Sequence, residues 1–98
     1  MGSWKLEAPV KKSVALPAAV GWLVLLHHHP MRGKRVRNLL YVDANGLERW
    51  RADMPKGTVP DSFVDVKVED GEIVAWTLSG YRVVLDDTGA TVSMRFTK

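Results

Sequence analysis

The 98-residue chain contains no cysteine, which excludes disulfide staples and thiolate metal sites. Its longest apolar stretch is the ten residues from Pro17 to Leu26, about half of the ~20 that a membrane-spanning helix needs. That stretch lies too far inside the chain to serve as the apolar region of a signal peptide. Acidic residues are scarce in the first third. Residues 1–37 carry seven Lys or Arg against Glu7 alone, whereas residues 38–98 carry seven Lys or Arg against ten Asp or Glu. Past residue 20, apolar side chains do not recur at the i, i+3, i+4, i+7 spacing of an amphipathic helix. These absences predict one soluble domain over residues 1–98, with no membrane segment and a cytoplasmic location.

What is present is one phrase used three times. Leu39-Leu40-Tyr41-Val42 closes on Asp43-Ala44-Asn45-Gly46 and reopens through Leu47 to Trp50. Val66-Lys67-Val68-Glu69 closes on Asp70-Gly71 and reopens at Ile73 toward Trp76. Arg82-Val83-Val84-Leu85 closes on Asp86-Asp87-Thr88-Gly89 and leads to Phe96. Asn-Gly and Asp-Gly between alternating apolar residues signal hairpins, because Gly enters positive φ without steric cost.

The turn chemistry also predicts registers. In the first hairpin a two-residue Asn45-Gly46 turn would set Asp43 against Glu48, a like-charge pair. A three-residue loop, Ala44-Asn45-Gly46 with Gly46 left-handed, instead sets Leu40 opposite Trp50 and Tyr41 opposite Arg49. In the second, an Asp70-Gly71 turn sets Val68 opposite Ile73 and Val66 opposite Ala75, with Glu69 and Glu72 meeting at the solvated tip. The third hairpin is expected to run from Tyr81 to Leu85 and from Thr91 to Phe96, with Ser79-Gly80 as a tight link before it.

Upstream, Trp4 to Glu7 alternates as a strand would, and Ser13 to Leu16 fits a second short strand. Val20 to His27 reads as a strand buried on both faces, although Pro17-Ala18-Ala19-Val20 also fits a short helix near residues 17–22. Pro30 to Arg37 is a basic connection, and Pro55 to Asp61 a loop. The expected fold is all-β: a small, antiparallel, hairpin-rich sandwich or half-open barrel of about eight or nine strands.

The segment from Tyr41 to Trp50, an apolar strand followed by Asp43, Gly46 and Trp50, resembles the repeat of quinoprotein-type (PQQ-like) β-propellers. Val84-Leu85-Asp86-Asp87-Thr88-Gly89 resembles the same repeat in its Asp-x-Thr-Gly form. The resemblance implies an array of hairpins. A propeller closes with ~4–8 four-stranded blades, and this chain holds strands for about two, so no cofactor-binding residue carries over. Asn38 to Trp50 also resembles an Asn-Leu-Leu-x-x-Asp-x-x-Gly-x-x-x-Trp segment of small uncharacterised bacterial proteins, which implies no activity.

Four features are candidate sites. His27-His28-His29 holds all the histidine of the chain, and in a strand His27 and His29 face the same way and can share a metal ion. Arg32, Lys34, Arg35 and Arg37 form the densest cationic segment, suited to phosphates or another anion. Trp4, Trp22, Trp50 and Trp76 are many for this length; Trp22 and Trp50 are expected in the core, and Trp76 is expected either in the core or, if it falls on the face opposite Val66, Val68 and Ile73, as an exposed aromatic that a second sheet, a partner or a ligand would cover. Asp43, Asp70, Asp86 and Asp87 sit where turns use Asp.

No nucleophile elbow or phosphate loop is present, so no catalytic residue is assigned and no cofactor is implied. Sheet edges need charge, cover or a partner. Arg95 with Lys98, and Lys5 with Glu7, are placed to guard the terminal strands; otherwise an edge takes a second copy or a peptide strand. The sequence thus favours a non-catalytic interaction module acting on a protein partner or as a homodimer. The alternatives are nucleic-acid binding through residues 31–37 and a metal-dependent enzyme using His27 and His29.

Overall fold

Branched and aromatic side chains alternating with polar ones fit a pleated, half-buried surface. In the computed structural model of the chain the described residues form strands and turns, with no helix. The structure describes residues 8–16, 21–27, 35–54 and 61–97. Among them run β1 (Val10–Ala15), β2 (Gly21–Leu26), β3 (Arg35–Val36), β4 (Leu39–Asp43), β5 (Glu48–Arg51), β6 (Asp61–Glu69), β7 (Glu72–Thr77), β8 (Tyr81–Leu85) and β9 (Thr91–Phe96). The expected strand at Trp4 to Glu7 lies outside the described residues. So do residues 17–20, while Gly21 and Trp22 open β2 rather than extending a helix.

Two sheets result. One has the order β1-β2-β4-β5 and the other β3-β6-β7-β8-β9. All pairings are antiparallel except the two-residue β3, which runs parallel to β6. The sheets form a sandwich and do not close into a barrel. The 18 Å short dimension is that of two sheets stacked about 10 Å apart with their outer side chains.

Alternation sorts the side chains between faces. Leu23, Leu25 and Leu39 of the first sheet meet Phe63, Val66, Ile73, Ala75, Val83 and Leu85 of the second. Each large apolar side chain buried there contributes roughly 1.5–3 kcal/mol. On the other face of the first sheet Val24, Leu26, Leu40 and Val42 are also buried, together with Ala8. From Leu23 to Leu26 the apolar run of β2 is therefore buried on both faces, as the sequence predicts, whereas Trp22 and His27 are exposed and Val20 lies outside the described residues.

One polar side chain lies where the sheets meet. Asn38 is fully buried just before β4. Its Nδ2 donates to the carbonyls of Leu26 in β2 and Phe63 in β6, both at 2.8 Å, and its Oδ1 accepts from the Phe63 N–H at 2.8 Å. The Leu26 N–H donates to the Asn38 carbonyl, also at 2.8 Å. The side-chain amide thus imitates one residue of a β ladder, pairing with Phe63 in the second sheet while the backbone pairs with the first. A buried peptide group without a partner would carry its full desolvation penalty.

The turns follow local chemistry. Asp70 at φ 50° and Gly71 at φ 81° make a two-residue turn with positive φ at both positions, and the register is the expected one, Val68 opposite Ile73 and Val66 opposite Ala75. The loops at Asp43 and Asp86 are copies of one another. Asp43 Oδ1 accepts from the N–H groups of Asn45 and Leu47; Asp86 Oδ1 accepts from those of Thr88 and Ala90 and from the Thr88 hydroxyl. Each ends on a left-handed glycine three residues on, Gly46 at 81° and Gly89 at 85°.

Beyond the first of these loops the register departs from expectation. Val42 opposes Glu48 as predicted, but Tyr41 then opposes Trp50 and Leu40 opposes Arg51, because Arg49 is an extra, bulged residue. Without the bulge Trp50 would share the outward face of Leu40. With it, Trp50 turns to the inter-sheet side, 5.7 Å from the Tyr41 ring, and packs on Gly89. A Cβ at Gly89 would lie 2.5 Å from Trp50 Cε3. Trp22 corrects the core expectation in the opposite sense. It shares a face with Val24 and Leu26 but sits at the open end of β2 beside exposed Ala15, and it is 36% exposed.

Asn38→Leu keeps the volume but strands three buried backbone groups, at roughly 1–3 kcal/mol each; urea unfolding is expected to show a loss of about 3–5 kcal/mol, and a loss below about 1 kcal/mol would contradict the bridging role. The two glycines give a paired test. Gly71 has open space around its missing Cβ, so Gly71→Ala should cost only the left-handed strain of about 1 kcal/mol. Gly89→Ala should cost about 2 kcal/mol more through the clash with Trp50; equal losses in the same denaturation experiment would refute the packing account.

Candidate functional site

A two-sheet sandwich has four edge strands, and unpaired backbone groups on each invite another chain unless something blocks them. On β1, Lys11 Nζ donates to the Val64 carbonyl at 3.0 Å and Lys12 pairs with Asp65 at 2.8 Å, which ties the strand to β6. On β5, Arg37 donates to the Arg51 carbonyl at 2.6 Å and the Ala52 carbonyl at 3.3 Å, and pairs with Asp53 at 3.1 Å. The edge strand β3 is only two residues long.

The remaining edge, β9, has no strand paired to its outer side among the described residues. All six of its residues are exposed. Val92 is 64%, Met94 41% and Phe96 55% exposed. Met94 opposes Val83 and Phe96 opposes Tyr81, so both lie on the core-facing side, beyond the cover of the first sheet. The Phe96 ring meets Tyr81 edge-on at 5.3 Å. Arg95 opposes Arg82 and lies on the outer side, away from this strip. The Thr97 N–H donates to the Gly80 carbonyl at 2.8 Å. Since donors and acceptors alternate in direction along an antiparallel strand, the backbone groups of Arg95 also turn toward β8, and those of Met94 and Phe96 point outward. The strand carries a bulge at Val92, between the Leu85–Thr91 and Val84–Ser93 pairs.

The described residues singled out from sequence lie elsewhere. Of the cationic segment, Arg37 holds the end of β5, the backbone of Arg35 in β3 pairs with Asp61 of β6, and Arg32 and Lys34 lie outside the described residues. His27 is exposed past the end of β2, with its N–H on the Pro9 carbonyl; His28 and His29 lie outside the described residues. Among the described residues no three His, Cys, Asp or Glu are grouped to hold a metal ion. Trp76 does fall on the outer face of the second sheet, half-buried, with the Lys67 ammonium 5.5 Å from its ring centroid. Lys67 and Arg82 both pair with Glu69, at 2.9 and 3.2 Å.

Sequence reading missed Asp61. It is only 4% exposed and fastens the start of β6 to the β7–β8 turn, accepting from the N–H groups of Ser62 and Ser79 and, at 2.6 Å, from the Ser79 hydroxyl. The partner Ser79 is 18 residues away, so no local spacing marks it. With both oxygens engaged, Asp61 serves as an anchor rather than a base.

Comparison with known proteins adds a family but no activity. A family model described as a domain of unknown function, DUF7957, matches residues 3–96. No curated protein and no solved structure matches the chain. No described helix is long and apolar enough to cross a membrane.

Three carboxylates are held below their ordinary range. The Lys12 ammonium lowers Asp65, Lys67 and then Arg82 lower Glu69, and the Thr88 hydroxyl and N–H lower Asp86. A lowered folded-state pKa means that the unfolded chain binds more protons, so this stabilisation is complete above the ordinary values of 3.8 and 4.5 and fades as pH falls through the folded values. Urea midpoints are expected to be flat down to about pH 5 and to fall below it, with a shallower fall in Asp86→Asn. A midpoint that rises on acidification would contradict these assignments.

Proposed function

The chain belongs to the DUF7957 family, and we propose that this member is a non-catalytic, cytoplasmic protein-interaction module that takes a partner strand along β9. The observation that carries the reading is the contrast among the described edges: Lys11 and Lys12 place charge on β1 and bond β6, Arg37 caps the Arg51 carbonyl of β5, β3 has two described residues, and among the described residues β9 alone sets outward backbone groups beside an exposed apolar strip. Main-chain pairing supplies affinity in β-augmentation, and side chains at alternate positions supply selectivity. Here Met94, Phe96 and Tyr81 provide an apolar surface for every second residue of an incoming strand. Asp43 and Asp86 each accept two or more hydrogen bonds within their own turns, and Asp61 accepts from Ser62 and from Ser79 in the β7–β8 turn, which suits a scaffold. The absence of cysteine from the sequence fits a reducing compartment.

Selection of displayed random peptides on the full chain, followed by hydrogen exchange, tests the reading. Extended peptides that slow exchange of the Met94 and Phe96 amides are expected, with binding weakened about tenfold or more by Met94→Lys. Selection that returns no binder, or binders protecting other segments, would overturn it.

A further inference from the structure

We infer that the strand taken by β9 is the β9 of a second copy, paired antiparallel about a two-fold axis through Met94, so that the two five-stranded sheets run on as one. The inference rests on reading β9 as an interaction edge and adds the partner and the register.

A two-fold axis perpendicular to a sheet keeps each side chain on its own face, so the paired residue numbers must sum to an even value. The possible centres are then few. An axis at Arg95 would set two guanidinium groups directly opposite each other, which is destabilising. An axis at Ser93 would set Phe96 against Ala90, in the turn before the strand, and leave the ring without a cross-strand partner. An axis at Met94 avoids both faults. Met94 meets Met94, Val92 meets Phe96 on both sides, and Ser93 meets Arg95, so no like charges stand directly opposed.

The backbone agrees with this centre. The N–H and C=O of Met94 already point out of the sheet, as do those of Phe96, and these are the groups that a pair centred on Met94 exchanges. Apolar side chains of the two strips would then join Tyr81 and Phe96 of each copy into one stripe on the core side. The bulge at Val92 lies at the outer end of the ladder and bends it without breaking the central pairs. Contact along six residues is small compared with a stable dimer interface, so the association is weak, with a dissociation constant on the order of 10–100 µM.

Sedimentation velocity on the full chain from about 5 µM to about 500 µM is the test. The expected result is a shift from monomer to dimer across that range. Met94→Lys, which sets two ammonium groups on the axis, should remain monomeric. Ser93→Glu should tighten the dimer about fivefold, because each introduced carboxylate faces Arg95 of the other copy. That gain depends on the register and cannot arise from misfolding. A chain that stays monomeric throughout, or a dimer indifferent to both substitutions, overturns the inference. The two readings separate on the same material: a monomer that still binds extended peptides on β9 removes only the second copy, whereas a monomer that binds none removes the interaction edge as well.

Discussion

Two sheets can share a core only if the chain crossing between them leaves no backbone group stranded, and on the approach to β4 that requirement falls on Asn38. Its surroundings are Leu26, Leu39 and Phe63, all of them buried, so water is not available to satisfy a missed bond. The site needs two donors and one acceptor in a fork about the size of a peptide unit. An amide supplies that set; a carboxylate does not donate, a hydroxyl is too short, and an aliphatic chain offers neither. Because Asn38 fixes β2 and β6 to one another, the facing of Leu23 and Leu25 onto Phe63 and Val66 depends on it.

Bulges do the remaining work of shaping the sandwich. A strict period of two assigns every side chain to a face, and an inserted residue reverses that assignment beyond it while adding twist. Arg49 turns Trp50 inward onto Gly89. Lys11 and Val64 are the extra residues of β1 and β6, and one bulge bonds the other through Lys11 Nζ and the Val64 carbonyl. The sheets are thereby joined at this corner without closing into a barrel.

These devices explain which parts of the structure are legible in the sequence. The Asp70-Gly71 turn is self-contained, so its register can be read from neighbouring residues, and the limits of β8 and β9 follow from the Asp86 loop in the same way. The bulge at Arg49 cannot be read locally, since the space that receives Trp50 is made by Gly89, about 40 residues on. Asn38, Asp61 and Arg37 are ordinary polar residues until their distant carbonyls and N–H groups are in place. Arg95 reads as a guard on the last strand, but strand alternation sends it to the outer face and leaves the backbone edge beside Met94 open. Trp22 gives a similar lesson: its size suits a core, but the buried apolar run of β2 begins only after it, at Leu23.

The position of β9 also sets where the fold loosens first. Among the described residues it is paired on one side only, to β8, and its apolar side chains are half in water, so its local opening requires less free energy than that of a strand between two neighbours. Opening would uncover Tyr81-Arg82-Val83-Val84-Leu85, whose Val83 and Leu85 are otherwise sealed, a run rich in residues that favour intermolecular sheets. Each lifting of the last strand therefore bares this run without any need for the rest of the sandwich to unfold.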